Sequence, residues 1–186
     1  MDRDERSLHA LAPNVLDRQF TATAPNQKWV ADFTYVWTHE GWLYVAVVLD
    51  LYSRRAVGWS MHPAMTTELV TDALTMAVWR RGPCAALLHH SDQGSQYTSE
   101  ILSAPASRSR SHLQHESLGK RVGQLRDGSF FSSLKIERVA RKTYPTRDAA
   151  RTDIFDYIER FYNPTRRHST LDYLSPMEFE KQGQVA

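Results

Sequence analysis

Lys28-Trp-Val-Ala-Asp-Phe-Thr-Tyr-Val-Trp-Thr38, His39-Glu-Gly41 and Trp42-Leu-Tyr-Val-Ala-Val-Val-Leu-Asp-Leu51 follow one another without a gap. In the first run Val30, Asp32, Thr34 and Val36 alternate with Trp29, Ala31, Phe33, Tyr35 and Trp37, so the two sets fall on opposite faces of a strand. His39-Glu-Gly41 is a turn. The second run is β-branched and apolar almost throughout, which predicts a central strand. Beyond Ser53-Arg-Arg55, Ala56-Val-Gly-Trp-Ser-Met61 predicts a third. Short turns between successive strands make antiparallel pairing the simplest arrangement.

Further along, Thr66 or Thr67 is placed to cap a helix with a buried stripe of Leu69, Val70, Ala73, Leu74, Ala77 and Val78, and Gly82-Pro83 stops it. Ala85-Ala-Leu-Leu-His-His90 predicts a short buried strand. Residues 130–141 and 146–162 each predict a helix, the second ended by Asn163-Pro164. Ser175-Pro176 starts a last helix with Met177 and Phe179 inward. Strand, strand, strand, helix, strand, helix, helix is the order of an α/β domain of the RNase H-like fold. The expected sheet is mixed, three antiparallel strands and then a parallel one, flanked by helices. Residues 1–26, with Pro13, Pro25 and Asn26 and no sustained period, form a lead-in; 27–180 form the core and 181–186 a tail.

The length of 186 residues suits one domain of ordinary size with a real core. Apolar residues at 41% and aromatics at 11% exclude general disorder, while a net charge of +2 does not by itself announce a nucleic-acid partner. Residues 1–100 hold 8 Lys+Arg against 11 Asp+Glu, and residues 101–186 hold 15 against 10. Positive charge thus gathers in the C-terminal half, as a phosphate-contacting surface or a solvated helical face would show. Cys84 is the only cysteine, so neither an internal disulfide nor a cysteine zinc site can form, and a reducing compartment is expected. The N-terminal Met1-Asp-Arg-Asp-Glu-Arg-Ser is charged, and the longest apolar run, 43–49, falls far short of the roughly 18 residues of a bilayer span. A soluble, cytoplasmic protein with no membrane partner is the expectation.

Five ordered motifs carry a resemblance. Ala31-Asp-Phe-Thr-Tyr35, the run from Gly41-Trp-Leu-Tyr to Ala56-Val-Gly-Trp59, His90-Ser-Asp-Gln-Gly-Ser-Gln-Tyr97, Ser129-Phe-Phe-Ser-Ser-Leu-Lys135 and Tyr162-Asn-Pro-Thr-Arg-Arg-His-Ser-Thr-Leu-Asp-Tyr-Leu-Ser-Pro176 resemble the catalytic half of bacterial insertion-sequence transposases, the OrfB type with a retroviral-integrase-like core. The resemblance covers 27–99 and 129–180. It implies an Asp, Asp, Glu triad holding two Mg²⁺ (or Mn²⁺) ions for cleavage and strand transfer of DNA. The first two carboxylates fall on Asp32 and Asp92. It further implies DNA partners, both transposon ends and target, a homo-oligomer on DNA, and an N-terminal helix-turn-helix half that this chain lacks.

The chemistry explains the residue types. Hard oxygen ligands suit Mg²⁺, and two ions can activate a water or 3′-hydroxyl while stabilising the leaving oxygen of an in-line phosphoryl transfer. Asp32 lies mid-strand among apolar residues, where an unpaired buried carboxylate is costly, so either a metal or a lysine or arginine partner is called for. Asp92 follows its strand directly, as a ligand or a turn cap. His89 and His90 are adjacent on a strand, so at most one of them faces any site. Asp50 reads as a further ligand, a turn cap or an arginine partner. Gly94 gives backbone freedom that lets Gln93 and Gln96 approach DNA, unless it is an ordinary turn glycine. Lys135, Arg138, Arg166, Arg167 and His168 read as DNA contacts, with a solvated surface as the alternative.

Thirty-five residues separate Asp92 from Gly128, where the resemblance demands the glutamate. Between Glu100 and Gly128 neither helical nor strand periodicity survives, and the segment is Ser/Arg-rich. If Val122-Gly-Gln-Leu-Arg-Asp-Gly128 is written GTG GGA CAA CTC CGC GAT GG, codons chosen by us, reading one nucleotide later gives Trp-Asp-Asn-Ser-Ala-Met, the missing approach to the glutamate. A pair of compensating single-nucleotide indels, after Glu100 and at Gly128, accounts for the segment and for the retained spacing. It predicts a lost fifth strand, a disordered 101–127 and a third position without an oxygen ligand. Glu116 and Glu137 are candidate substitutes, the first inside the scrambled part, the second nine residues past Gly128. The expected function is that of a transposase core inactive in this copy. The alternatives are a non-enzymatic DNA-binding or dimerising remnant and, third, a nuclease using Glu137.

Overall fold

The first two runs form an antiparallel hairpin, β1 (Lys28–Thr38) and β2 (Gly41–Asp50), with Trp29 opposite Asp50 and Thr38 opposite Gly41. Gly41 takes φ 104°, a backbone region that suits glycine at this tight turn. The computed structural model describes residues 22–82, 86–89 (backbone only) and 130–183. β3 (Ala56–His62) pairs antiparallel with β2, with an irregularity at Val48/Leu49, and β4 (Ala86–His89) lies parallel to β1. The sheet order is β3-β2-β1-β4. The segment 101–127, including any fifth strand, lies outside the described residues, as does the lead-in up to residue 21.

Alternation along the strands divides the core in two. Val36, Leu43, Val45 and Val47 join one buried cluster with Phe130, Phe131, Leu134, Ile154, Tyr157 and Ile158, all from later helices. Trp29, Ala31, Ala46, Val48 and Val57 join the other, with Leu69, Ala73 and Ala77 of α1 (Thr67–Arg81). The α1 stripe is narrower than expected: Leu69, Ala73 and Ala77 are buried, Val70 and Leu74 pack half-buried beside them, and Val78 is exposed. Gly58 lets α1 approach β3 closely. A β-carbon built there falls onto the Ala73 carbonyl and within 2.7 Å of the Ala77 amide. Gly58→Ala is therefore expected to lower stability by about 3 kcal/mol, the upper end for overpacking against backbone, and urea denaturation would check it.

The two later helices are not uniform. α2 (Phe130–Leu134) passes into a π-helical turn over Lys135–Val139, and α3 (Arg147–Asp156) into another over Tyr157–Tyr162. The wider turn stacks residues five apart, which lets Tyr157 and Tyr162 both enter the core, an outcome that a 3.6-residue period does not reveal. Thr146 caps α3 by accepting the Ala149 amide at 3.1 Å.

α4 (Pro176–Gly183) opens with a capping box: Glu178 accepts the Ser175 amide at 2.9 Å, and the Ser175 hydroxyl accepts the Glu178 amide at 3.3 Å. Its inward face corrects the expectation of Met177 and Phe179. Pro176 and Glu180 are the buried residues, and Phe179 is half-buried with its ring 5.0 Å from that of Tyr52. Three partners on other elements draw Glu180 in. It accepts from Ser53 and Arg55, each at 2.7 Å, and from Arg81.

Candidate active site

Asp32 stands opposite Val47 in the β1–β2 register, and Val47 belongs to the cluster built with Phe130, Phe131 and Leu134. The carboxylate therefore lies on the sheet face that α2 and α3 cover. It is half-buried, and its Oδ1 accepts the Phe33 amide at 2.8 Å. On the other side of β1, Ala31 pairs with His89 at the end of β4, so the chain leaves β4 close to the level of Asp32. Asp92, Gln93, Gly94, Gln96, Glu116, Gly128 and His90 all lie outside the described residues. α2 begins at Phe130, two residues past Gly128, with Phe130 and Phe131 buried against the Asp32 face.

Asp50 is a turn cap. Fully buried, it accepts the Tyr52 amide through Oδ1 at 2.9 Å and the Asn26 amide through Oδ2 at 2.7 Å, tying the segment before β1 to the β2–β3 turn.

The five basic candidates take different places. Lys135 and Arg167 are exposed. Arg138 donates to Asp153 at 2.9 Å, a carboxylate that also takes Lys142 and the Tyr144 hydroxyl. Arg166 is spent on Glu137, with Nε at 2.8 Å and Nη2 at 2.7 Å from Oε1, while the Tyr157 hydroxyl donates to Oε2 at 2.7 Å. Burial pushes the Glu137 carboxyl up, but the bonds from Arg166 and Tyr157 and the Arg166 charge outweigh it and hold it below the usual glutamate value. This clamp joins the π-turn after α2 to the loop beyond Tyr162. No sequence signal announced it, since a glutamate and an arginine 29 positions apart follow no local period.

His168 is 7% exposed and lies edge-on to Tyr162, ring centroids 5.1 Å apart. Burial, then the charges of Arg166 and Arg54, push its pKa down to about 4. The sign follows: the folded chain holds the ring neutral, the unfolded chain protonates it, and stability present above about pH 6.5 is lost as the pH falls toward about 4. Parent protein is expected to lose on the order of 2 kcal/mol between pH 7 and 5, above the range of the carboxylates, and His168→Gln to lose much less. Urea unfolding at the two pH values would show it.

Among the described residues no three His, Cys, Asp or Glu side chains converge on a point. Asp32 offers a hard oxygen suited to a divalent cation, whereas Glu137 is held by a guanidinium and a phenol. The described residues thus supply one carboxylate and not a complete metal centre.

Integrase core domain families match residues 22–124 and 128–183. Transposase InsF for insertion sequence IS3fB of Escherichia coli K12 is 44% identical over 172 residues, covering 92% of this chain and 60% of the relative. The transposase for insertion sequence element IS904 of Lactococcus lactis is 41% identical over 169 residues, covering 91% of this chain and 67% of the relative. The chain belongs to the integrase-core family of insertion-sequence transposases. It spans about 60% of the length of the InsF relatives it matches. This integrase core also resembles solved structures. A chain of the simian T-cell lymphotropic virus intasome in complex with the PP2A regulatory subunit B56 gamma aligns at TM-score 0.59 and 14% identity, over 86% of this chain and 56% of that one. The HTLV-2 integrase catalytic core in complex with magnesium aligns at 0.54 and 16%, over 86% and 99%. Those likenesses speak for the fold: an α/β integrase core with three antiparallel strands in its sheet, and helices. No helix among the described residues is long and apolar enough to cross a membrane.

Proposed function

We propose that this integrase core, of RNase H-like fold, descends from an enzyme that cut and joined DNA, and that strand transfer is lost in this copy. The observation that carries the reading is Asp32, held mid-strand on the face toward which α2 packs, in a chain 44% identical to an insertion-sequence transposase. Asp92 is the second carboxylate, and Gly128 occupies the position from which a glutamate would complete the set. When bound, Mg²⁺ or Mn²⁺ would supply charge stabilisation for phosphoryl transfer. Asp32 and Asp92 would hold it, and the third oxygen ligand is lacking. The magnesium complex of the HTLV-2 core supports the choice of ion. DNA ends and target are the substrates, and assembly on DNA as a homo-oligomer is the mode of action, with the cytoplasm as its place.

The first matched family runs on through 101–124 and the second begins at 128, so the family's spacing is kept through the stretch, as a length-preserving disturbance would leave it. Read one base later, codons 100–129 are expected to encode a Trp-Asp-Asn-like tract; stops or unrelated residues throughout would mean true divergence instead. A radiolabelled-end assay tests function: salt-sensitive DNA binding with no Mg²⁺-dependent nicking is expected. Robust cleavage abolished by Asp32→Asn would overturn the inactive reading. The alternative of a non-catalytic binding or dimerising remnant is favoured by the exposed Lys135 and Arg167, and inhibition of an intact copy would distinguish it.

A further inference from the structure

The outer half of the β1–β2 hairpin carries an uncovered row of aromatic rings. Tyr35, Trp37 and Trp42 are 53%, 54% and 42% exposed, where large rings of a folded core are normally covered. They form one connected patch: Tyr35 meets Trp42 at 4.9 Å and Tyr44 at 6.4 Å, and Trp37 meets Trp42 at 4.7 Å. The cross-strand register explains the row, since Tyr35 is opposite Tyr44 and Trp37 opposite Trp42. These residues share the face on which α1 packs, but the cluster that α1 covers is centred on Trp29, Ala31, Ala46, Val48 and Val57, nearer the other end of the hairpin, and reaches the row only at half-buried Tyr44. An exposed contiguous apolar patch on a folded chain marks a contact surface.

Charge selects the occupant. The Lys135 ammonium, itself exposed, stands 5.7 Å from the centre of the Tyr35 ring. Ring faces beside an exposed cation suit a ligand that is at once flat, unsaturated and anionic, the combination found in unpaired nucleotides. A second copy of this chain fits less well, because two-fold pairing of the patch would bring each Lys135 toward its own mate. A duplex fits less well also, since its bases are stacked on one another and cannot reach the rings.

We propose that Tyr35, Trp37, Trp42 and Tyr44, with Lys135, form a stacking platform for single-stranded DNA. The proposal rests on the reading of this chain as DNA-acting. Tyr35 is three residues along β1 from Asp32, roughly 10 Å, and on the opposite face. Lys135, the residue after α2, links the two faces: it leaves the side that carries Asp32 and reaches the aromatic side. A strand that frays near Asp32 could pass Lys135 with its phosphates and lay its bases on the rings.

The test is titration of the full chain with labelled oligothymidylate and, separately, a duplex of equal length, both in EDTA. Oligothymidylate is expected to bind and to quench tryptophan fluorescence. Trp37→Ala and Trp42→Ala are each expected to weaken it about tenfold, with Trp37→Phe retaining most of the affinity. Lys135→Ala should lower the salt slope by about 0.7. Trp79→Ala, at the exposed end of α1, should change nothing. Circular dichroism of each variant would verify the fold. Unchanged oligothymidylate binding in both alanine variants overturns the platform, as does a dimer broken by Trp37→Ala in a chain that ignores oligothymidylate. Duplex binding without oligothymidylate binding sinks the platform and leaves the DNA-acting reading standing; binding of neither sinks that reading as well.

Discussion

Replacement of residues 101–128 by their shifted-frame reading, with Glu at 128, is expected to raise Mg²⁺-dependent strand transfer by on the order of 100-fold or more over the chain as it stands. Gly128→Glu alone is expected to restore little. The distinction rests on the proposed frame disturbance ahead of α2. α2 is in place two residues beyond position 128, anchored by buried Phe130, Phe131 and Leu134 against the Asp32 face. What a single glutamate would lack is the approach to that helix, since the residues before it are not those that aim a carboxylate. The assay should join the restored core to the additional length its relatives carry and measure transfer of a labelled end into a plasmid. Equal rescue by Gly128→Glu would show that the segment matters only for its last residue. Strong transfer by the unaltered chain would direct attention to Glu137 or Glu116, and Glu137 would first have to leave Arg166 and Tyr157.

Strand patterning made the sheet legible. Alternation in Lys28–Thr38 assigned Asp32 a face correctly, because a period of two survives wherever one side of a strand is buried against a different layer from the other. The helices were legible as elements, and α1 also in its buried stripe apart from Val78, but α4 was not legible in its inward face. Glu180 turned inward where Met177 and Phe179 were expected, since a charged residue is drawn in only by partners distant in sequence, here Ser53, Arg55 and Arg81. Asn163 shows the same limit. It was read as a helix stop, and it also pairs its amide with the backbone of Ala56 at 2.9 and 3.0 Å, fastening the end of the π-turn to the start of β3. Arg166 and His168 read as phosphate contacts in the sequence, yet Arg166 grips Glu137 and His168 is buried, because basic residues in a loop carry no mark of whether a carboxylate waits across the fold. The aromatic row escaped notice too. Alternation along a strand does not tell which rings a helix will reach, and among the described residues Tyr35, Trp37 and Trp42 stay exposed beyond the cluster that α1 covers.

Glu180→Ala is expected to destabilise the domain by about 3–5 kcal/mol, the range found when one partner of a buried ion pair is removed. Glu180 is only 3% exposed, and it collects Arg81 from the end of α1, with Arg55 and Ser53 from the β2–β3 turn. Removing the carboxylate leaves the mostly buried Arg81 guanidinium with an uncompensated charge and frees α4 from both elements at once. Burial pushes this carboxyl up, but the bonds from Arg81, Ser53 and Arg55 prevail and hold it below the ordinary glutamate value of 4.5. Its contribution is therefore complete above that value and is lost as the pH falls through the lower folded one. Glu180→Gln keeps the shape and some hydrogen bonding, so it should fall between parent and alanine. Glu180→Met combined with Arg81→Met removes both buried charges and should recover much of the loss, because apolar replacements often match a buried pair in stability. Urea denaturation at neutral pH would rank the four proteins. A loss below about 1 kcal/mol in Glu180→Ala would mean that α4 is held by the Phe179–Tyr52 contact and by Pro176, with the ion pairs contributing no more than exposed ones do.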